Sequence, residues 1–175
     1  MIGLKRGTVK LVPHNPKWEK LFEKEKKVLE KKLGNLVIDI EHVGSTSVPG
    51  ISAKPVIDIL VGIKSMTDAK KCIKQLESLG YEYMPDRGEK GRRIFFAKGS
   101  HKRRTHHIHL VKFGGKVWES HILFAEYLRR HKKRAKQYDA LKKSLLKKFE
   151  KDRESYTKSK AKFIRETIKK SRLTL

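Results

Sequence analysis

The run Val56-Ile57-Asp58-Ile59-Leu60-Val61 restricts the fold of this chain more than any other segment, because it is apolar at every position but one. A strand with one wet face alternates apolar and polar residues, whereas a strand apolar on both faces belongs inside a sheet that is covered on each side. The run therefore predicts a layered architecture of a sheet flanked by helices. Its exception, Asp58, puts a carboxylate into the apolar layer, where a charge must be paired, hydrogen-bonded or metal-bound.

The flanking segments supply the other elements. A short apolar start, Val9 to Val12, leads through Pro13-His14-Asn15-Pro16 into Trp18, Leu21, Phe22, Val28, Leu29 and Leu33 at near-helical spacing. This predicts a helix over residues 16 to 33, with Asn15 as cap, Pro16 at its first position and Gly34 closing it. Leu36 to Val43 reads as a strand that ends in the turn Gly44-Ser45-Thr46-Ser47. A second helix, capped by Ser65 or Thr67, carries Ala69, Cys72, Ile73, Leu76 and Leu79 and stops at Gly80, with Cys72 facing the core. Tyr81 to Met84, Arg93 to Ala97 and Thr105 to Val111 read as shorter strands joined by charged, glycine-bearing turns. From Val117 to the end the pattern is helical and predicts two or three helices. No repeat and no linker divides the chain. The expectation is one α+β domain over residues 1–175, a mixed sheet with helices over about 1–115 followed by a helical segment over 116–175.

Lys and Arg number 44 against 19 Asp and Glu, a formal charge of +25 over 175 residues. Such a field attracts polyanions, either nucleic acid such as RNA or a phosphorylated ligand, and equally serves to solvate helices. The lone cysteine excludes an internal disulfide, and the first residues lack the pattern of a secretory leader, so the expected compartment is the cytoplasm. No apolar run approaches the ~20 residues of a membrane span. Oligomeric state has no signature in the sequence.

Three groups of residues have chemical potential. Gly44-Ser45 follows a strand and precedes Asp58 on the next: a glycine lets a phosphate approach the backbone, the hydroxyls and amides of Ser45 and Thr46 can donate to it, and the carboxylate can hold a bridging metal. A plain turn accounts for the same residues. In Thr105-His106-His107-Ile108-His109-Leu110-Val111, period-two alternation makes His107 and His109 project together. They suit metal ligation, proton transfer or phosphate binding, or are simply hydrogen-bonded on a half-exposed strand. Lys54, before the Asp58 strand, and Arg93, before Ile94-Phe95-Phe96, are candidate clamps for anionic oxygens, with strand-end solvation as the alternative for each.

The segment His42 to Val61, with Gly44-Ser45-Thr46-Ser47, Pro49-Gly50-Ile51-Ser52-Ala53-Lys54-Pro55 and Asp58, resembles the signature of the GrpB family. Pro13, Asn15, Pro16 and Trp18 resemble that family's opening, Arg93, Phe96 and His107-Ile108-His109 its middle strands, and Asp152, Tyr156, Lys160 and Phe163 its closing helix. The family is similar to the polymerase beta-like nucleotidyltransferases, which implies a nucleotidyltransferase-like mixed sheet. In those enzymes an Asp-x-Asp/Glu pair and a third carboxylate hold two metal ions. The resemblance thus implies a divalent metal, magnesium or manganese, on Asp58, and a nucleotide or phosphorylated small molecule as ligand. Some members are joined to dephospho-coenzyme A kinase domains, which implies a phosphorylated ligand too.

This chain departs from the pattern: Leu60 stands two residues past Asp58, and His107 and His109 stand where a carboxylate is expected. Asp39 and Glu41 on the preceding strand are the nearest substitutes in sequence. The expected function is an enzyme related to nucleotidyltransferases or phosphotransferases, with Asp58, His107 and His109 catalytic and Gly44, Ser45, Thr46, Lys54 and Arg93 binding phosphate. The alternative is a non-catalytic nucleotide- or nucleic-acid-binding protein, for which the lysine-rich C-terminal helices argue.

Overall fold

Strand β2 (Ile57–Ile63) is hydrogen-bonded on both edges, antiparallel to β1 (Val37–Val43) and parallel to β5 (Arg103–Lys112). Every β2 residue but Asp58 is buried, as the apolar run requires. The computed structural model describes residues 2–150 and 152–174. Beyond β5 the sheet continues through β4 (Arg93–Ser100) to β3 (Tyr81–Tyr83), both antiparallel, giving the order β1-β2-β5-β4-β3.

The two sides of the sheet are unequal. On one, Ile57, Ile59, Val61 and Ile63 join Phe96, Ile108 and Leu110 in the main core, which α1 (Lys17–Leu33) covers with Trp18, Phe22 and Leu29, and α2 (Ala69–Ser78) with Cys72 and Leu76. α1 starts one residue later than expected, with Pro16 at its N-cap position, and Asn15 Oδ1 accepts from the Lys17 amide at 3.0 Å. On the other, Val43, Leu60 and Val111 meet Trp118 of α3 (Lys116–Arg130). A separate cluster ties Val48 and Ile51, in the loop after β1, to Leu128 of α3 and Ala135 and Tyr138 of α4 (Lys132–Lys148). Beyond α4 lie α5 (Arg153–Ser159) and α6 (Ala161–Leu173). Asp58 faces this side. Among the described residues no helix is long and apolar enough to cross a membrane.

Some expected boundaries shift. Among the described residues the C-terminal segment forms four helices rather than two or three: the chain leaves helical geometry at His131 (φ −116°, ψ 81°), and Asp152 starts a new helix by accepting from the Ser155 amide at 3.0 Å. Neither break uses Gly or Pro, so periodicity alone runs through them. Leu36 lies in a 3-10 turn rather than in β1. β2 runs two residues past Val61 because Gly62 leaves room for the Trp118 ring, which a Cβ there would meet at 2.7 Å. β4 and β5 extend into a longer hairpin, with a register shift at Gly99, whose φ is +97°. Backbone pairing there continues beyond the apolar pattern that marks the strands in sequence.

Candidate functional site

Register brings the site together. Asp58 lies opposite Val43 on β1 and His107 on β5, and the pleat turns His107 and His109 to the face that carries Asp58. Asp58 Oδ1 is 3.3 Å from His107 Nδ1 and 3.3 Å from His109 Nε2, with the Asp58 side chain 30% exposed. The far nitrogen of His109, Nδ1, is 3.2 Å from Arg93 Nη1. A guanidinium has only donors, so His109 Nδ1 must accept and Nε2 must carry the proton that it donates to Asp58. Burial lowers the pKa of His109, in keeping with this neutral tautomer. Burial pushes Asp58 up, but hydrogen bonds from His107 and His109, and their charge when protonated, hold its carboxyl well below the usual range.

Gly44 is required by the same contact. It sits at φ +70°, and a Cβ there would lie 2.8 Å from Asp58 Oδ2. The chain then makes a 3-10 turn over Ser45–Ser47, closed by the Ser47 hydroxyl donating to Gly44 O at 2.7 Å. Ser45 Oγ accepts from Lys142 Nζ at 3.0 Å and lies at the site. Thr46 does not: it is 3% exposed, and its hydroxyl bonds His42 Nε2 at 3.0 Å. His42 in turn stacks on Phe22 and reaches Glu19 at 3.1 Å, so Thr46 anchors the turn from within instead of meeting a ligand.

Around Asp58 stands a group of cations that sequence reasoning found only in part. Lys54 and Lys160 both lie over the Tyr156 ring, at 5.4 and 4.5 Å. Arg87 lies 4.5 Å over Phe95, whose ring is 4.9 Å from His107. Lys142 is 2% exposed and also donates to Ser52 O. Burial, then the charges of Lys160 and Arg153, push Lys54 down to about 7. Burial likewise lowers Lys142 to about 7 and Lys160 to about 8. Burial and Arg153 bring Arg87 to about 10. Arg153 is itself lowered by burial, then by Arg6, with Asp58 opposing. The Tyr156 hydroxyl and Arg93 Nε are buried without a hydrogen-bond partner among the described residues. Lys142, Arg87 and Arg153 had no signal beyond composition. Tyr156 and Lys160 had one, their place in the closing segment that resembles the family, but no role followed from it. His121 was also missed: its ring is 5.2 Å from His109, and burial lowers it to about 4.

The residues present do not fit a pair of divalent ions. Leu60, where a second carboxylate would stand, is 0% exposed and packed among Val43, Val111 and Trp118. Asp58 Oδ1 is shared by two imidazoles, which leaves one carboxylate oxygen, against Gly44, for ions that need several. Glu41 pairs with Leu60, two strand positions from Asp58, and Asp39 lies further along, accepting from the Ile40 amide at 2.8 Å. Among the described residues no group of three or more His, Cys, Asp and Glu side chains is arranged to hold a metal.

Known proteins resemble this chain to different degrees. The family described as GrpB protein matches residues 8–170. "Glutamate-rich protein GrpB" of Alkalihalophilus pseudofirmus is 39% identical over 171 residues, covering 96% of this chain and 98% of that one. The crystal structure of the conserved protein GrpB from Enterococcus faecalis superposes with a TM-score of 0.83 at 34% identity, covering 93% of this chain and 96% of the other. A cytoplasmic RNA terminal U-transferase aligns with a TM-score of 0.52 at 16% identity over 78% of this chain and 43% of its own, a likeness of fold. With sheet order, Gly-Ser turn and Asp58 all in place, the fold is nucleotidyltransferase-like, and the chain belongs to the GrpB family.

Proposed function

We propose that this protein binds a nucleotide or a related phosphate ester on the sheet face beside Asp58, and that Asp58 and His107 move a proton on it. One observation carries the reading: Lys54, Arg87, Arg153 and Lys160 converge on one carboxylate, Asp58, with Lys142 beside them on the Ser45 hydroxyl. Cations partly stripped of water and facing one another repel, and a bound anion relieves that cost. Phosphate oxygens against the amides of the Gly44-Ser45 turn and the ammonium groups of Lys54 and Lys160 satisfy both partners.

The histidines then have separate tasks. His109 is engaged at both nitrogens, by Arg93 and by Asp58, so it positions the carboxylate. His107 directs Nδ1 to Asp58, which leaves Nε2 to take a proton from a hydroxyl or water attacking phosphorus while the bond from phosphorus to the leaving oxygen breaks and that oxygen keeps the electron pair, the division of labour of an Asp-His pair. The basic groups offset charge that grows on the phosphoryl oxygens as the reaction proceeds.

The test is a thermal-shift series with ATP, dephospho-coenzyme A, inorganic pyrophosphate and a short RNA on wild type, Asp58→Asn and Lys160→Met. A bound ligand raises the melting temperature by mass action. Shifts with a phosphate ester that vanish in Lys160→Met are expected. Shifts with RNA alone, equal in all three proteins, would instead make this a nucleic-acid-binding protein using its general positive field.

A further inference from the structure

We infer that the ligand of this site is a polyphosphate taken in its metal-free form, with the side chains of Lys54, Arg87, Lys142, Arg153 and Lys160 doing for its oxygens what divalent ions do in related folds. This rests on the phosphate-ester reading above and goes beyond it in naming the ligand's charge state.

The first ground is charge balance. Four of the cations, Lys54, Arg87, Arg153 and Lys160, face one anion, Asp58, and Lys142 stands beside them with its Nζ 3.0 Å from Ser45 Oγ. The next acid, Asp139, is already held by Lys143 Nζ at 2.7 Å and by the Ser52 amide at 2.8 Å. The local surplus is therefore about four positive charges when all are protonated, the charge that a free triphosphate ester neutralises with its roughly four negative ones near neutral pH. Its magnesium complex carries about half of that, and the ion would arrive as a further double positive charge among five cations.

The second ground is the donor set. The position that could supply a second carboxylate is Leu60, sealed in the core, and the remaining oxygen of Asp58 lies against Gly44. A hard cation finds few oxygens here, whereas anionic oxygens find many donors. The third ground is the Tyr156 hydroxyl, which is buried in the same cluster with no partner among the described residues, beneath the two lysines that lie over its ring. A buried donor without an acceptor costs about 1–3 kcal/mol, and a phosphate oxygen is the acceptor that this surrounding of cations would attract.

Isothermal titration of ATP and of inorganic tripolyphosphate in EDTA, and again in saturating magnesium, tests the inference on wild type, Lys160→Met and Lys160→Arg. Binding in EDTA that magnesium weakens by about tenfold or more, that Lys160→Met removes and that Lys160→Arg retains, is the expected result. Affinity unchanged or raised by magnesium overturns the inference and leaves the phosphate-ester reading standing. No binding of either compound in either condition overturns both. Binding in EDTA that ignores Lys160→Met shows only the attraction of a +25 chain for polyanions and overturns the inference as well.

Discussion

Replacing Lys142 with Met should stabilise the unliganded protein and damage its binding site at the same time. Lys142 is 2% exposed, and burial, with Lys160, Lys143 and Lys54 adding to it against Asp139, takes its pKa from 10.5 to about 7. At about 1.36 kcal/mol per unit, that depression corresponds to about 5 kcal/mol of cost to the folded state while the group is charged in both states. Methionine keeps most of the side-chain volume and removes the charge. It also leaves Ser45 Oγ and Ser52 O without their donor, which returns about 1–3 kcal/mol of the gain. The net expectation at pH 6 is a variant more stable than wild type by about 2–4 kcal/mol, or about 4–16 °C in melting temperature for a chain of this size. The sign with pH follows from linkage. Because the folded pKa is depressed, the unfolded state holds the extra proton between pH 7 and 10.5, so wild-type stability recovers as pH rises through that window. The margin between variant and wild type should thus narrow by about 1.4 kcal/mol per pH unit above 7. Chemical denaturation at pH 6 and pH 9 measures it. A variant destabilised by the same amount at both values would refute the premise that Lys142 is held charged against its burial.

Other perturbations have equally definite outcomes. Gly44→Ala puts a Cβ at 2.8 Å from Asp58 Oδ2 at a φ of +70°, so it should cost about 1–2 kcal/mol of backbone strain and abolish ligand shifts; normal binding by this variant would remove the Gly44–Asp58 contact from the site. Thr46→Val strands His42 Nε2 and should lower stability by about 1–3 kcal/mol in urea titration while leaving ligand affinity within about twofold, because Thr46 faces inward. Arg93→Met frees His109 Nδ1, and the ring-nitrogen NMR signals should then report a mixture of tautomers in place of a single Nε2-protonated form; an unchanged spectrum would mean that Arg93 does not set the tautomer.

The parts of the site visible in sequence are those that a period or a conspicuous exception reveals. Alternation of two placed His107 and His109 on one side of β5, and the lone charge in an apolar run marked Asp58; both meet at 3.3 Å. Asn15 before Pro16 marked the start of α1 to within one residue. The cations from the C-terminal helices were not visible, because Lys142 stands beside Lys143 in a lysine-rich helix, and only packing of α4 against the Ser45 hydroxyl and the Ser52 carbonyl separates a buried ammonium from a solvated one. Thr46 was misplaced for a related reason. A hydroxyl in a Gly-Ser turn can face either way, and its direction is fixed by His42, a partner buried beneath the turn. The helix breaks at His131 and Asp152 escaped notice because amphipathic spacing continues across them.

The most direct measurement is a crystal structure of the protein grown with inorganic tripolyphosphate and EDTA. Phosphate oxygens within hydrogen-bonding distance of Lys54 and Lys160 Nζ and of the Ser45 amide are expected, beside an Asp58 still held by His107 and His109. Phosphate density confined to exposed lysines of α4 such as Lys132, Lys133 and Lys136, with the Asp58 face empty, would contradict the assignment of this face as the ligand site.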